Sequence, residues 1–352
     1  MLRLFVPGRL CLFGEHSDWA GAFRETNPEL TPGYCLVAGT DQGLYAEASR
    51  RDGEVLFESV TPDGRRHGPE RFPADVEALA AAAKRGGFFS YAAGVVAETI
   101  RRYHVRGLEL RIVDTDLPVQ KGLSSSAATC VLVARALGRL YDLGLDARQE
   151  MALAYAGERR TGSQCGLMDQ VCAFGQRTLQ LTFDGARFDV DELPVGAEMP
   201  LLIVDLCAGK DTRRILADLN ACFPARDSRV ARGVREALGP RNAELAAAAR
   251  AALAAGDAAG VGRLMSDAQD VFDRLVAPAC PELAAPRLHA VLAHPAVGEL
   301  GWGGKGVGSQ GDGCAQLVAR DPEARVALAR RLEGELGVRC LSLTLRPRSD
   351  GA

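Results

Sequence analysis

Gly122-Leu123-Ser124-Ser125-Ser126-Ala127-Ala128 is the stretch on which the reading of this chain turns. A glycine turn and three hydroxyls run straight into an Ala-rich, helix-forming segment that continues to about Tyr141. The first turn of a helix leaves backbone N–H groups without intrahelical partners, and the helix dipole adds about half a positive charge there, so phosphate oxygens dock without a lysine. Serine hydroxyls at the same turn cap the helix or reach a metal ion. Taken alone, the stretch fits a Ser-capped core helix as well as it fits an anion site.

Upstream, Pro7-Gly8-Arg9 leads through the apolar Leu10-Cys11-Leu12-Phe13 into Gly14-Glu15-His16-Ser17-Asp18-Trp19. Four polar or charged residues in five positions exceed what a hairpin turn uses. A polyol ligand uses all of them, since Glu and Asp accept from hydroxyls and His does either; a charged loop capped by Asp18 is the plainer alternative. Downstream, Glu158 is followed by Gly166-Leu167-Met168-Asp169-Gln170. A carboxylate between Met168 and Val171 is expected to be partly buried, and a buried carboxylate is paired or functional. The run Gly303-Gly304-Lys305-Gly306-Val307-Gly308-Ser309-Gln310-Gly311-Asp312-Gly313 lets backbone approach a ligand closely, or simply forms a flexible connection. Neither the dinucleotide fingerprint nor the Walker pattern fits these segments.

Composition bounds the class. At roughly 100 to 200 residues per domain, 352 residues imply two domains. A net charge of −3 calls for neither nucleic acid nor an acidic membrane as partner. The start, Met1 to Val6 and then Pro7-Gly8, is too short for a signal-peptide core and reads as a strand ending in a turn. No apolar run reaches the roughly 18 residues that span a bilayer, so a cytoplasmic location is expected. Ten cysteines contain no Cys-x-x-Cys pair and no zinc spacing; most sit in apolar segments, as small hydrophobes do.

Patterning predicts mixed strands and helices. Strands are expected near Leu2 to Val6, Tyr34 to Ala38, Leu44 to Ala48, Leu108 to Val113, Leu201 to Val204, Cys314 to Val318 and Val338 to Leu345. Helices are expected over Ala74 to Lys84, Phe89 to Tyr103, Ser126 to Tyr141, Ala147 to Arg160 and Pro322 to Leu336, with an Ala-rich surface helix from Asn242 to Ala259.

In order and spacing, these segments resemble the GHMP kinases, the superfamily of galactokinase, homoserine kinase, mevalonate kinase and phosphomevalonate kinase. Pro7 to Asp18 is similar to the first family motif in its galactokinase form, Pro118 to Ala128 to the phosphate-binding second motif, and Lys305 to Gly313 to the glycine-rich third. Cys165 to Gln170 resembles the galactokinase segment with the catalytic aspartate; Phe88, Tyr91, Gly94 and Val95 resemble its adenine-side helix, and Cys280-Pro281-Glu282-Leu283 its stretch before the last motif. The resemblance covers essentially the whole chain. It implies an α+β, two-domain GHMP kinase fold: a ribosomal protein S5 domain 2-like N-terminal domain over 1–190 and a ferredoxin-like C-terminal domain over 191–352.

The resemblance further implies a sugar kinase with ATP and Mg²⁺, a phosphotransferase with an alcohol acceptor, acting on a sugar hydroxyl that is expected to be the anomeric one. Asp169 and Arg9 are then catalytic, and Glu15, His16 and Asp18 hold the sugar. Gly122, Leu123, Ser124, Ser125, Ser126, Ala127, Gly306, Gly308 and Gly311 hold the ATP phosphates, Phe88 and Tyr91 lie near adenine, and Ser126 and Glu158 bind Mg²⁺. A mevalonate-type kinase and a silent sugar and ATP sensor are the alternatives. Departures from the galactokinase pattern leave the sugar open: Trp19 stands for Tyr, Ala22 to Tyr34 is an extra segment expected to line or cover the sugar pocket, Lys121 replaces a small residue, and Asp312 puts a carboxylate into the third motif.

Overall fold

A computed structural model describes residues 1–118, 122–163, 165–223 and 227–347. Lys121 lies outside the described residues. In chain order the first elements are β1 (Leu2–Phe13), α1 (Ser17–Ala22), β2 (Gly33–Arg50), β3 (Glu54–Val60), β4 (Arg66–Pro73), α2 (Val76–Arg85), α3 (Ser90–Arg102) and β5 (Leu108–Thr115). Next come α4 (Ser125–Leu140), α5 (Ala147–Arg159), a 3-10 turn (Asp169–Phe174), β6 (Thr178–Asp184), β7 (Arg187–Glu192) and β8 (Met199–Asp205). Helices α6 (Thr212–Asn220), α7 (Arg229–Glu236), α8 (Asn242–Ala255), α9 (Ala258–Leu275), α10 (Pro286–Leu292) and α11 (Pro295–Leu300) follow. The chain closes with β9 (Gly301–Gly306), β10 (Cys314–Ala319), α12 (Pro322–Leu336) and β11 (Arg339–Leu345).

The chain packs as two compact units: Met1–Arg9 with Gly39–Gln176, and Leu10–Ala38 with Arg177–Ala352. They interleave along the sequence, because β1 and β2 each run from one unit into the other. The grouping therefore differs from the expected division at 190, in that residues 10–38 and 177–190 go with the second unit.

In the first unit, β5 lies between β3, its parallel neighbour, and the antiparallel C-terminal half of β2, while β4 pairs with β3. Helices α2 and α4 contact these strands, and α3 and α5 pack against those helices. Helix α5 starts on a capping box, Asp146 accepting from Gln149 N–H while the Gln149 side chain returns to Asp146 N–H. It meets α3 where Gly94 faces Gly157: a Cβ on Gly157 would lie 2.5 Å from Val95 Cα, so only glycine allows that approach. That contact seats the last turn of α5, which carries Glu158.

In the second unit, β8 is buried along its whole length, as its apolar run predicts. It is central to an antiparallel sheet in the order β11-β8-β10-β9, the order expected of a ferredoxin-like domain. Leu202, Val204, Leu317, Leu328 and Leu332 form part of its core. Helix α12 begins on Asp321, which caps Ala324 N–H, with Pro322 at the first position, and ends at left-handed Gly337.

Three local expectations are corrected. Strand β1 does not stop at Pro7-Gly8 but runs to Phe13: a Cβ on Gly8 would come within 2.5 Å of Leu117 and 2.7 Å of the Leu123 carbonyl, so this glycine serves close packing and not a turn. Strand β2 is one strand and not two, and Gly39, whose Cβ would meet the Gly175 carbonyl at 2.1 Å, plays the same part. The glycine-rich run is strand at its start, since β9 extends to Gly306. Among the described residues, no helix is long and apolar enough to cross a membrane.

Candidate active site

The first unit gathers one group of expected residues. Arg9, on β1, is 5% exposed; its backbone N–H donates to the Leu123 carbonyl at 3.2 Å, and its Nη1 donates to the Gly122 carbonyl at 2.8 Å. The other side of the guanidinium holds Asp169, with Nε donating to Oδ1 at 3.1 Å and Nη2 to the same oxygen. One arginine thus fixes both the turn before α4 and the aspartate that opens the 3-10 turn. Asp169 keeps a quarter of its side chain accessible.

Helix α4 starts as an anion site would. Its N-cap, Ser124, is left-handed and makes no side-chain cap, and the first helical bond comes only at Ala128 N–H to Ser124 O. The N–H groups of Ser125, Ser126 and Ala127 therefore have no helical acceptor. Ser124 Oγ is buried without a hydrogen-bond partner among the described residues. Gly122 takes φ 77°, which favours glycine, so the turn has no side chain in the way.

Glu158, 2% exposed, lies beside this turn's Ser126. Burial and the neighbouring Asp169 charge push its carboxyl up to about 7, opposed by hydrogen bonds from Gln170, Ser126 and Cys130. Two neighbouring carboxyls, of which Asp169 is paired with Arg9, form a site short of positive charge. The oxygen donors Ser126, Glu158 and Asp169 suit a hard divalent ion, and the unpartnered Ser124 hydroxyl suits a phosphate oxygen; Mg²⁺ and a nucleotide triphosphate fit this donor set.

Phe88 and Tyr91 belong to the same unit. Tyr91 stands on the first turn of α3. The Phe88 ring is 45% exposed and stacks flat on His67, centroids 3.8 Å apart, with Phe89 at its edge.

In the second unit, Glu15 and His16 are buried and Asp18 is in the first turn of α1. Glu15 is not a free acceptor: Lys305 Nζ donates to its Oε1 and, at 2.9 Å, to the Gly306 carbonyl, and this lysine is only 2% exposed. In the sequence, Lys305 belongs to the third motif and nothing there marks Glu15 as its partner. A single lysine among glycines at the end of a strand was the available signal. Gly308 and Gly311 have φ of 66° and 68°. Asp312 points away from the loop and caps α10, accepting from Arg287 N–H at 2.9 Å and Leu288 N–H at 3.0 Å. Within the extra segment, Arg24 is committed to Asp184 and to the Pro28 and Leu30 carbonyls.

His16 accepts from Trp19 Nε1 at 3.1 Å and stacks near Phe272. Burial, with the Lys210 and Lys305 charges, takes its pKa from 6.5 down to about 3, against a backbone contact from Ser309. The unfolded chain binds a proton here below pH 6.5 that the folded chain refuses until near pH 3, so folded stability falls as pH drops through that window. At about 1.4 kcal/mol per unit the loss reaches about 2 kcal/mol by pH 5. His16→Asn, which tolerates the left-handed φ of 69°, removes that part of the slope. Urea melts of both proteins at pH 7.5 and 5 check this; equal losses in the two would contradict it.

Residues 90–176 match the family model for the GHMP kinases N-terminal domain. By sequence, the chain is 28% identical over 200 residues to a galactokinase of Pyrococcus furiosus, covering 56% of this chain and 51% of that one. The chain is similar to the GHMP kinases in this region. Solved GHMP kinases share its fold throughout. The Lactococcus lactis galactokinase in complex with galactose superposes with a TM-score of 0.73 at 20% identity, over 99% of this chain and 93% of that one. The Methanococcus jannaschii mevalonate kinase gives 0.73 at 16%, over 99% and 98%. The chain spans about half the length of the galactokinases it matches by sequence.

Proposed function

We propose that this chain is an ATP- and Mg²⁺-dependent sugar kinase that transfers the γ-phosphoryl group to a sugar hydroxyl, the anomeric C1 hydroxyl in particular. The observation that carries the reading is the junction made by Arg9, which joins the Asp169 carboxylate to the uncapped start of α4. The sequence likeness to galactokinases supports a sugar as acceptor.

Asp169 takes the proton of the attacking hydroxyl, and its accessible side chain leaves room for that contact. Arg9 keeps the carboxylate aimed and, always charged, stabilises negative charge that develops on the transferred group. The N–H groups of Ser125, Ser126 and Ala127 hold phosphate oxygens. Ser126 and Glu158 would hold Mg²⁺, which when bound neutralises charge on the phosphates. We assign Glu15, His16 and Asp18 to the sugar, with Lys305 fixing Glu15, Gly306, Gly308 and Gly311 to the phosphates, and Phe88 and Tyr91 to the base.

Incubation with ATP and a panel of galactose, arabinose, hexuronic acids, other aldoses and mevalonate tests the reading, with the product mapped by phosphorus NMR. A sugar 1-phosphate is expected. Phosphorylation of mevalonate alone, or binding of sugar and ATP with no ADP released, overturns it. Ser126→Ala is expected to weaken Mg²⁺·ATP roughly tenfold, the loss of a contact worth about 1.5 kcal/mol, and to leave sugar affinity nearly unchanged. Calorimetric titration of each ligand checks this, and the reverse ordering removes Ser126 from its role.

A further inference from the structure

Gln170 is fully buried, in the 3-10 turn directly after Asp169. Packing alone does not account for it, because methionine fills the same space with nothing to satisfy. Its Oε1 is buried and has no hydrogen-bond partner among the described residues, a cost that an apolar side chain avoids. What the carboxamide provides is a donor: Nε2 gives a hydrogen bond to Glu158 Oε2 at 2.7 Å, with a weak contact to Cys165 Sγ at 3.9 Å.

Glu158 sits at the end of α5, where a side chain has several rotamers, while Ser126 and Cys130 approach the same carboxyl from α4. Asp169 and Gln170, adjacent on one turn, serve the two carboxyls differently. The Asp169 carboxylate is held by the charged Arg9, whereas Glu158 is held by a neutral amide. A neutral donor orients a carboxylate without cancelling the charge that a cation needs.

We propose that Gln170 is the positioning residue for Glu158, locking Oε2 so that the carboxylate stays aimed at a divalent ion beside Ser126. The proposal rests on the sugar-kinase reading for the identity of that ion. Its expected size is that of hydrogen-bond partners behind metal ligands, whose loss costs about ten- to a hundred-fold in metal affinity.

The test uses the whole chain with two substitutions, Gln170→Met, which removes the donor, and Gln170→Asn, which keeps an amide one carbon too short. Mn²⁺ binding in the presence of ATP is followed by electron paramagnetic resonance, Mg²⁺ half-saturation by ADP release, and folding by near-UV circular dichroism. Both folded variants are expected to bind Mn²⁺ ten- to a hundred-fold more weakly and to need correspondingly more Mg²⁺, with the sugar KM unchanged and kcat recovered at high Mg²⁺. Unchanged Mn²⁺ affinity in either folded variant overturns the proposal, as does a loss of kcat that Mg²⁺ does not restore. If the unaltered protein binds no Mn²⁺ with ATP, the kinase reading fails and takes this role with it. Normal binding with unaffected variants fails the positioning role alone.

Discussion

On the proposed function, Asp169→Asn is expected to lower kcat by about a hundred- to ten-thousand-fold, the usual range for loss of a general base. The substitution keeps the size of the side chain and leaves a carbonyl oxygen where Oδ1 accepts from Arg9, so the 3-10 turn and the Arg9 link to Gly122 stay in place. What disappears is the group proposed to take the proton. ATP affinity therefore stays close to that of the unaltered enzyme, and the sugar KM changes far less than kcat. Rapid-quench measurement of a single turnover separates the chemical step from product release. A single-turnover rate within a few-fold of the original would remove Asp169 from the role.

Arg135→Met destabilises the fold by about 3–5 kcal/mol, the range for breaking a buried ion pair by removing one partner. Arg135, on α4, is 9% exposed and donates to Glu150 on α5 from Nη2 at 2.7 Å and Nε at 2.9 Å. It also donates to the Ala173 carbonyl at 2.6 Å and reaches the Phe5 carbonyl at 3.4 Å. One guanidinium thus ties β1, α4, α5 and the turn that bears Asp169. Methionine leaves the Glu150 carboxylate and the Ala173 carbonyl buried without their donor. Adding Glu150→Leu removes the orphaned charge and recovers much of the loss. Urea denaturation of the two single variants and the double one measures the cycle. A loss below about 1 kcal/mol for Arg135→Met would mean that water reaches Glu150 and the brace is not needed.

The sequence is most readable where one local rule sets the outcome. The Pro322 to Leu336 helix is found with the expected ends because Asp321, Pro322 and Gly337 carry start and stop signals on the chain itself. Arg9, Asp169, Glu158 and the Gly122 to Ser126 turn form one group, as their motif order suggests; Glu158 and the turn lie at the ends of helices that local patterning locates, whereas Arg9 lies within β1. Long-range partners were not readable. Nothing near Glu15 in the chain announces Lys305, and nothing near Glu158 announces that the Gln170 amide, twelve residues on, is its donor. Gly8 differs from its expected turn for a physical reason: a glycine that makes a turn and one that admits a close neighbour carry the same letter.

The passage of β1 and β2 between the units bears on how this protein can be divided. A cut at any single peptide bond cannot release either unit whole, because residues 10–38 belong with 177–352 yet lie inside the flanks of the other unit. A fragment ending at Gln176 would carry the buried Cys35-Leu36-Val37 edge without the β6 strand that pairs with it. A fragment beginning at Arg177 would lack the Glu15 that neutralises Lys305. Separate production of the second unit calls for joining 10–38 to 177–352 by a new linker, and of the first for closing 9 onto 39.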